Sequence, residues 1–169
     1  MTDARTPVLV TWGLLGAWVL HDVEELATIP RFTRTLGDRH PRAARLIVSP
    51  PWENTIAISA VGAVMAAASW DGARTDGRGR FYQAMLAAFG WHALGHVAQT
   101  VALRRYTPGV VTAVALVAPY SVWAWRRLGR AGVLDGPRAE RDAARLGPPL
   151  LIGARVAGRV LGRTRRKRP

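Results

Sequence analysis

Residues 7–30 read PVLVTWGLLGAWVLHDVEELATIP, and this stretch decides the fold. From Pro7 to Leu20 the only polar side chain is Thr11, so the segment must be buried in protein or placed in lipid. Four ionisable residues then follow within five positions, His21-Asp22-Val23-Glu24-Glu25, and Pro30 closes the stretch. A proline ring has no N–H to continue a helix, so the pattern predicts one from Pro7 to about Ile29. That is enough for a bilayer core, which takes roughly 17–25 residues of helix. Ionisable groups at such a depth cost several kcal/mol each unless paired or metal-bound, and they usually mark function.

Three further apolar segments lie outward from it, at about Thr55–Trp70, Phe81–Leu103 and Pro108–Trp125. Most of the seven tryptophans fall near segment ends, as an interfacial belt would place them. A soluble four-helix bundle needs a charged face on each helix, and these segments have none. They are rich in Gly and Ala, which let membrane helices approach closely. The fold expected is therefore all-α: an integral membrane bundle of four transmembrane helices, with a basic C-terminal tail.

The 169 residues are about one domain's worth, and the formal net charge of +13 is unevenly spread. Residues 1–125 carry 11 basic and 8 acidic side chains, whereas residues 126–169 carry 13 and 3. This divides the chain into a nearly neutral membrane domain, 1–126, and a basic segment, 127–169. Gly and Pro punctuate the latter, which reads either as a partly disordered basic tail or as an interfacial helix, since Leu150–Lys167 sets Arg155, Arg159 and Arg163 on one stripe that suits a helix lying on anionic lipid. With no aromatic residue to present the charge, nucleic acid is not an expected partner. The oligomeric state is left open. Arginine counts put both termini on the cytoplasmic side of the cell membrane, against the arginine-rich loop RTLGDRHPRAAR at 34–45, where His40 is expected to be solvated. The absence of cysteine excludes disulfides, thiolate zinc sites, iron–sulfur clusters and cysteine nucleophiles, so a metal here must be held by His, Asp or Glu.

On a helix that turns about 100° per residue, Glu24 lies about 60° to one side of His21 and Glu25 about 40° to the other. One imidazole and two carboxylates thus share a face, while Asp22 points away. The third segment carries the complement: His92 and His96 are four apart, and Gln99 is on the same face. Two histidines at that spacing can reach one metal ion. First and third segments cross in the same direction. At about 1.5 Å per residue, His21 to Glu25 lie roughly 21–27 Å into theirs and His92 and His96 roughly 16–22 Å into theirs. The two sets meet at nearly one level. Blander readings put Glu24 and Glu25 at the headgroup boundary, pair Glu24 with Arg104 or Arg105, or make each histidine a packing residue.

With His21, Glu24 and Glu25 followed by Pro30 and Phe32, the sequence resembles the HXXEE family of uncharacterised bacterial membrane proteins. The resemblance runs on through HALGHVAQT, where His96 matches a recurrent histidine and His92 takes a place that holds Asn in many members. It continues in Tyr106-Thr107-Pro108-Gly109, the Tyr-x-Pro-Gly segment that opens the last span. The family name implies no reaction, so function rests on the residues. One reading is a membrane metalloenzyme in which His21, Glu24, Glu25, His92 and His96 hold Zn or Fe. Glu24 or Glu25 would then do the proton chemistry, and Gln99, Tyr106 and Thr112 would hold the ligands or a membrane-dissolved substrate. Zinc implies hydrolysis and iron oxidation. The alternatives are a non-catalytic site for metal or protons in transport or sensing, and a polar network that only fixes helix register.

Overall fold

Prolines mark where the first two helices begin, since a residue without an N–H sacrifices no bond in the first turn. α1 (Val8–Arg39) follows Pro7, whose carbonyl accepts the Val10 N–H at 2.8 Å, and α2 (Pro51–Arg74) starts on Pro51. α3 (Arg80–Leu103) ends where Arg104 turns left-handed, with φ 48°. α4 covers residues 110–130, built from Val110–Thr112, a wider π turn at Ala113–Val117, and Ala118–Arg130. α5 is Gly136–Arg165. This computed structural model describes residues 6–39 and 50–165, and among them the protein contains no strand. His40 and the arginine-rich loop around it lie outside the described residues.

The all-α expectation holds. Among the described residues one helix, at Trp52–Arg74, is long and apolar enough to cross a membrane, with mean hydropathy 1.4. In α1 the three acids Asp22, Glu24 and Glu25 count against that composition.

Pro30 does not close α1, which runs nine residues further to Arg39. The continuation is held from outside. Arg105 lies over the Phe32 ring, 5.0 Å from its centroid, and donates to Thr35 Oγ1 at 2.7 Å. Leu36 is buried. These contacts offset the one backbone bond that an internal proline removes.

Neighbouring helices follow the circuit α1–α2–α5–α3–α4 and back to α1, with α2 also touching α3. α1 and α3 face each other across the interior and meet through long side chains. The hydroxyl of fully buried Tyr82 on α3 donates to the Val10 carbonyl, which also accepts from Tyr120 on α4 at 2.7 Å. Higher up, His21 meets His92 and Glu25 meets His96. The pairs 10–82, 21–92 and 25–96 keep an offset of 72, 71 and 71 residues. α1 and α3 therefore run parallel and in step over four turns, with Leu14, Met85, Leu86 and Phe89 in the apolar core.

The segment after residue 130 is not separate from this bundle. α5 packs along α2 and α3 through Ala139, Ala143 and Ala154, all buried, and through Gly158. A Cβ on Gly158 would lie 2.7 Å from the Glu53 carbonyl oxygen of α2, so only glycine admits that approach. The turn leading into α5 is pinned by buried Gln83, whose amide donates to the Gly77 and Val133 carbonyls at 2.8 Å each and accepts from Asp135 N–H at 3.0 Å.

Candidate metal centre

The parallel register of α1 and α3 brings four side chains to one point. His92 Nε2 lies 3.2 Å from His21 Nε2 and 2.9 Å from His96 Nε2, and His96 Nε2 lies 3.4 Å from Glu25 Oε1. One donor atom from each of these residues falls within 4.8 Å of all the others. The three imidazoles stand nearly perpendicular to one another, at 80° to 88°, as rings do when they aim at a common centre. His21 and His96 are buried, and His92 and Glu25 are half-buried.

Each ring nitrogen has one in-plane direction, holding either a proton or a lone pair. His92 Nε2 therefore serves one of its two imidazole neighbours by hydrogen bonding and leaves the other contact unfavourable. A cation at the centre satisfies them all. Bonds of about 2.0–2.1 Å to a tetrahedral zinc would set neighbouring donors about 3.3 Å apart. The contacts of 2.9, 3.2 and 3.4 Å are close to that spacing. The group can hold a metal ion, and three imidazoles with one carboxylate suit zinc and iron alike.

Behind the cluster, Glu24 makes a different set of contacts. Its Oε1 accepts from Tyr106 OH at 2.6 Å and from Val111 N–H at 3.3 Å. Its Oε2 accepts from Thr112 N–H at 2.7 Å and from Thr112 Oγ1 at 2.5 Å. The carboxylate thus caps the start of α4, where free N–H groups and the helix dipole favour negative charge. Thr112 has one hydroxyl proton, and the carboxylate at 2.5 Å outcompetes the Gly109 carbonyl at 3.3 Å for it. Its oxygen is then an acceptor for His21 Nδ1, 2.9 Å away. This fixes the His21 proton on Nδ1 and leaves the Nε2 lone pair facing the cluster. Carboxylate-anchored histidine is the usual support of a metal ligand, and here a threonine hydroxyl is interposed. Desolvation and the bond to Glu24 both raise the Tyr106 phenol above its ordinary pKa, so it stays a donor.

The loop between α3 and α4 closes the site from above. Its clamps are the Arg105 contacts with Phe32 and Thr35 and a 2.5 Å hydroxyl pair between Thr100 and Thr107. Gly109, at φ 82°, lies directly on the cluster. A Cβ there would come within 2.8 Å of Cε1 on both His21 and His96 and 3.1 Å of Glu25 Cγ.

Of the residues singled out in the sequence, the structure brings His21, Glu25, His92 and His96 together and turns Glu24 aside. The helical wheel put Glu24 on the same face, but the loop and α4 take up its carboxylate. Tyr106 and Thr112 bind Glu24, and Thr112 also binds His21, so both act through other residues. Gln99 is exposed and lines the cavity described next. Arg105 does not pair with Glu24 but with α1 further on.

A partly open cavity of about 400 Å³ adjoins the cluster between α1, α2, α3 and α5. Glu25, His92 and His96 form its polar end, and Trp18, Ile58, Met65, Phe89 and Leu150 much of its apolar wall. A shallower recess between α3 and α5 reaches His92, His96 and Gln99 from the other side. Two wall residues escaped the sequence reading. Asp22 is 7% exposed and its Oδ2 has no hydrogen-bond partner. Arg155 arrives from α5 and lines the same cavity. The signal for α5 was present in Ala139-x-x-x-Ala143-x-x-x-Gly147 and Ala154-x-x-x-Gly158, small residues four apart that let helices pack closely.

Fold and site together define an all-helical protein with a buried His₃Glu cluster able to take a metal, opening on an apolar cavity. The family model described as a protein of unknown function with HXXEE motif matches residues 12–124, and the chain belongs to that family. His21, Glu24 and Glu25 are the motif. No curated protein and no solved structure matches the chain.

Proposed function

We propose that this protein is a membrane-embedded, metal-dependent enzyme acting on a lipidic or membrane-dissolved substrate. The observation that carries the proposal is the juxtaposition of the His21–Glu25–His92–His96 cluster with the apolar cavity, since a purely structural polar network has no use for a cavity beside it. When bound, the ion supplies activation of water for hydrolysis if it is zinc, or oxidation if it is iron. The chain's own residues divide the remaining work. Glu24, through Thr112, holds His21 in one tautomer, and Tyr106 fixes Glu24. Glu25 stays with the metal ligands and Asp22 is the other carboxylate on the cavity wall, so proton transfer to and from substrate falls to Asp22.

The surface supports a membrane setting. Only 22% of the apolar window in α2 is buried within the protein, unlike the core helix of a soluble bundle. Leu20 and Val23 on α1, Leu94 and Val101 on α3, and Val111 and Val114 on α4 are all exposed. Lipid is the solvent that accepts such faces on every side. In this reading Arg138 and Arg141 at the start of α5 meet anionic headgroups, and because α5 runs from Asp135 beside Gln83 to Gly158 beside Glu53, the start of α1 and the end of α5 lie at opposite ends of the bundle.

Elemental analysis of the detergent-purified chain tests the proposal, with wild type beside His21→Ala and His96→Ala. About one metal per chain in the wild type and loss in both variants is the expected result. No stoichiometric metal after metal-replete expression overturns the proposal, and full metal in both variants overturns the ligand set.

A further inference from the structure

The family model stops at residue 124, yet α5, beyond it, closes the cavity with Leu150, Leu151, Ala154 and Arg155. The matched region supplies the cluster, and the unmatched helix supplies the opposite wall and its cation. We infer that α5 is the specificity element of this protein and that the cavity takes an amphiphile with a single anionic headgroup. The chain of the amphiphile lies against the apolar wall and the headgroup lies between Arg155 and the cluster.

Three observations converge on this. The volume of about 400 Å³ falls in the range of roughly 300–1,000 Å³ typical of small-molecule sites, and the wall is mainly apolar, which selects a hydrocarbon chain. Arg155 lines the same cavity as Glu25, His92 and His96, so an anion there would be held by both guanidinium and metal. The sign of the charge then decides the headgroup. Asp22, Glu25 and Arg155 give the wall a formal charge of −1, and a divalent ion among neutral imidazoles turns it to +1. The inference therefore rests on the metal reading above, because without the ion the cavity would not favour an anion.

The test is binding of dodecyl phosphate, dodecanol and inorganic phosphate to the purified full-length chain in a non-ionic detergent, with metal content measured on the same samples. Metal-loaded wild type is expected to bind dodecyl phosphate at least tenfold more tightly than dodecanol. Arg155→Gln should abolish that preference in samples that still carry metal. Inorganic phosphate at equal concentration should not displace dodecyl phosphate. Equal affinity for the two amphiphiles in metal-loaded wild type overturns the inference, as does a preference that survives Arg155→Gln. Displacement by inorganic phosphate alone overturns the lipid part and points to a soluble anion. Absence of metal from the wild type sinks the metal reading itself, which the elemental measurement reports independently of the binding result.

Discussion

Thr112→Val removes one hydroxyl and nearly nothing else, and among the described residues that hydroxyl is the hydrogen-bonded bridge between Glu24 and His21. It donates to Glu24 Oε2 at 2.5 Å and accepts from His21 Nδ1 at 2.9 Å. Valine has the same shape, and the Thr112 backbone bond to Glu24 at 2.7 Å persists, so the start of α4 keeps its cap. The lost bond to a charged partner is worth about 1.5–3 kcal/mol, and the stranded His21 N–H adds a penalty of about 1–3 kcal/mol. Both losses lower the stability of the chain with or without metal. Metal affinity feels a further effect, because His21 is no longer held in its Nδ1–H tautomer. Losing such a support behind a ligand costs about 10–100-fold in affinity, or about 1.4–2.7 kcal/mol. Competition against a chromophoric chelator measures this directly, and Thr112→Ser should restore most of the affinity by returning the hydroxyl. Valine and serine variants that both bind metal within about twofold of wild type would refute the relay.

Three further outcomes are expected. Gly109→Ala must place a methyl group against the His21 and His96 rings in a left-handed backbone, so metal binding should fall at least tenfold and thermal unfolding should come earlier. Tyr82→Phe, at the opposite end of the α1–α3 contact, should cost about 0.5–1.5 kcal/mol in thermal stability and leave metal content unchanged, because Val10 keeps its Tyr120 bond. Imidazole binds metal only when neutral, so bound metal should be retained at neutral pH and released on acidification, read by metal remaining after gel filtration at each pH.

The sequence carried the centre of this molecule well and its periphery poorly, for a physical reason. α3 was legible almost to the residue, Phe81–Leu103 against Arg80–Leu103, because a long apolar run between charged ends leaves little choice. The meeting of His21 and Glu25 with His92 and His96 followed from rise per residue alone, once the two segments were taken as parallel. What failed were choices made by distant partners. Pro30 reads as a stop, yet Arg105 clamps Phe32 and Thr35 beyond it and the helix continues. Glu24 shares a helical face with Glu25, but a loop eighty residues away in the chain takes its carboxylate. Asp22 appeared to point away from the site because the helical wheel contained no α5 to build a wall there. The arginines and prolines of α5 masked the small-residue spacing that packs it.

The most direct test of the metal centre is X-ray absorption at the metal edge on the purified chain. The account predicts three imidazole nitrogens at about 2.0–2.1 Å, with the Glu25 carboxylate and an exchangeable water supplying the oxygens of the shell, and imidazole scattering reduced by one ring in His92→Ala. A metal-loaded sample whose shell shows no imidazole, or one unchanged by His92→Ala, would contradict it.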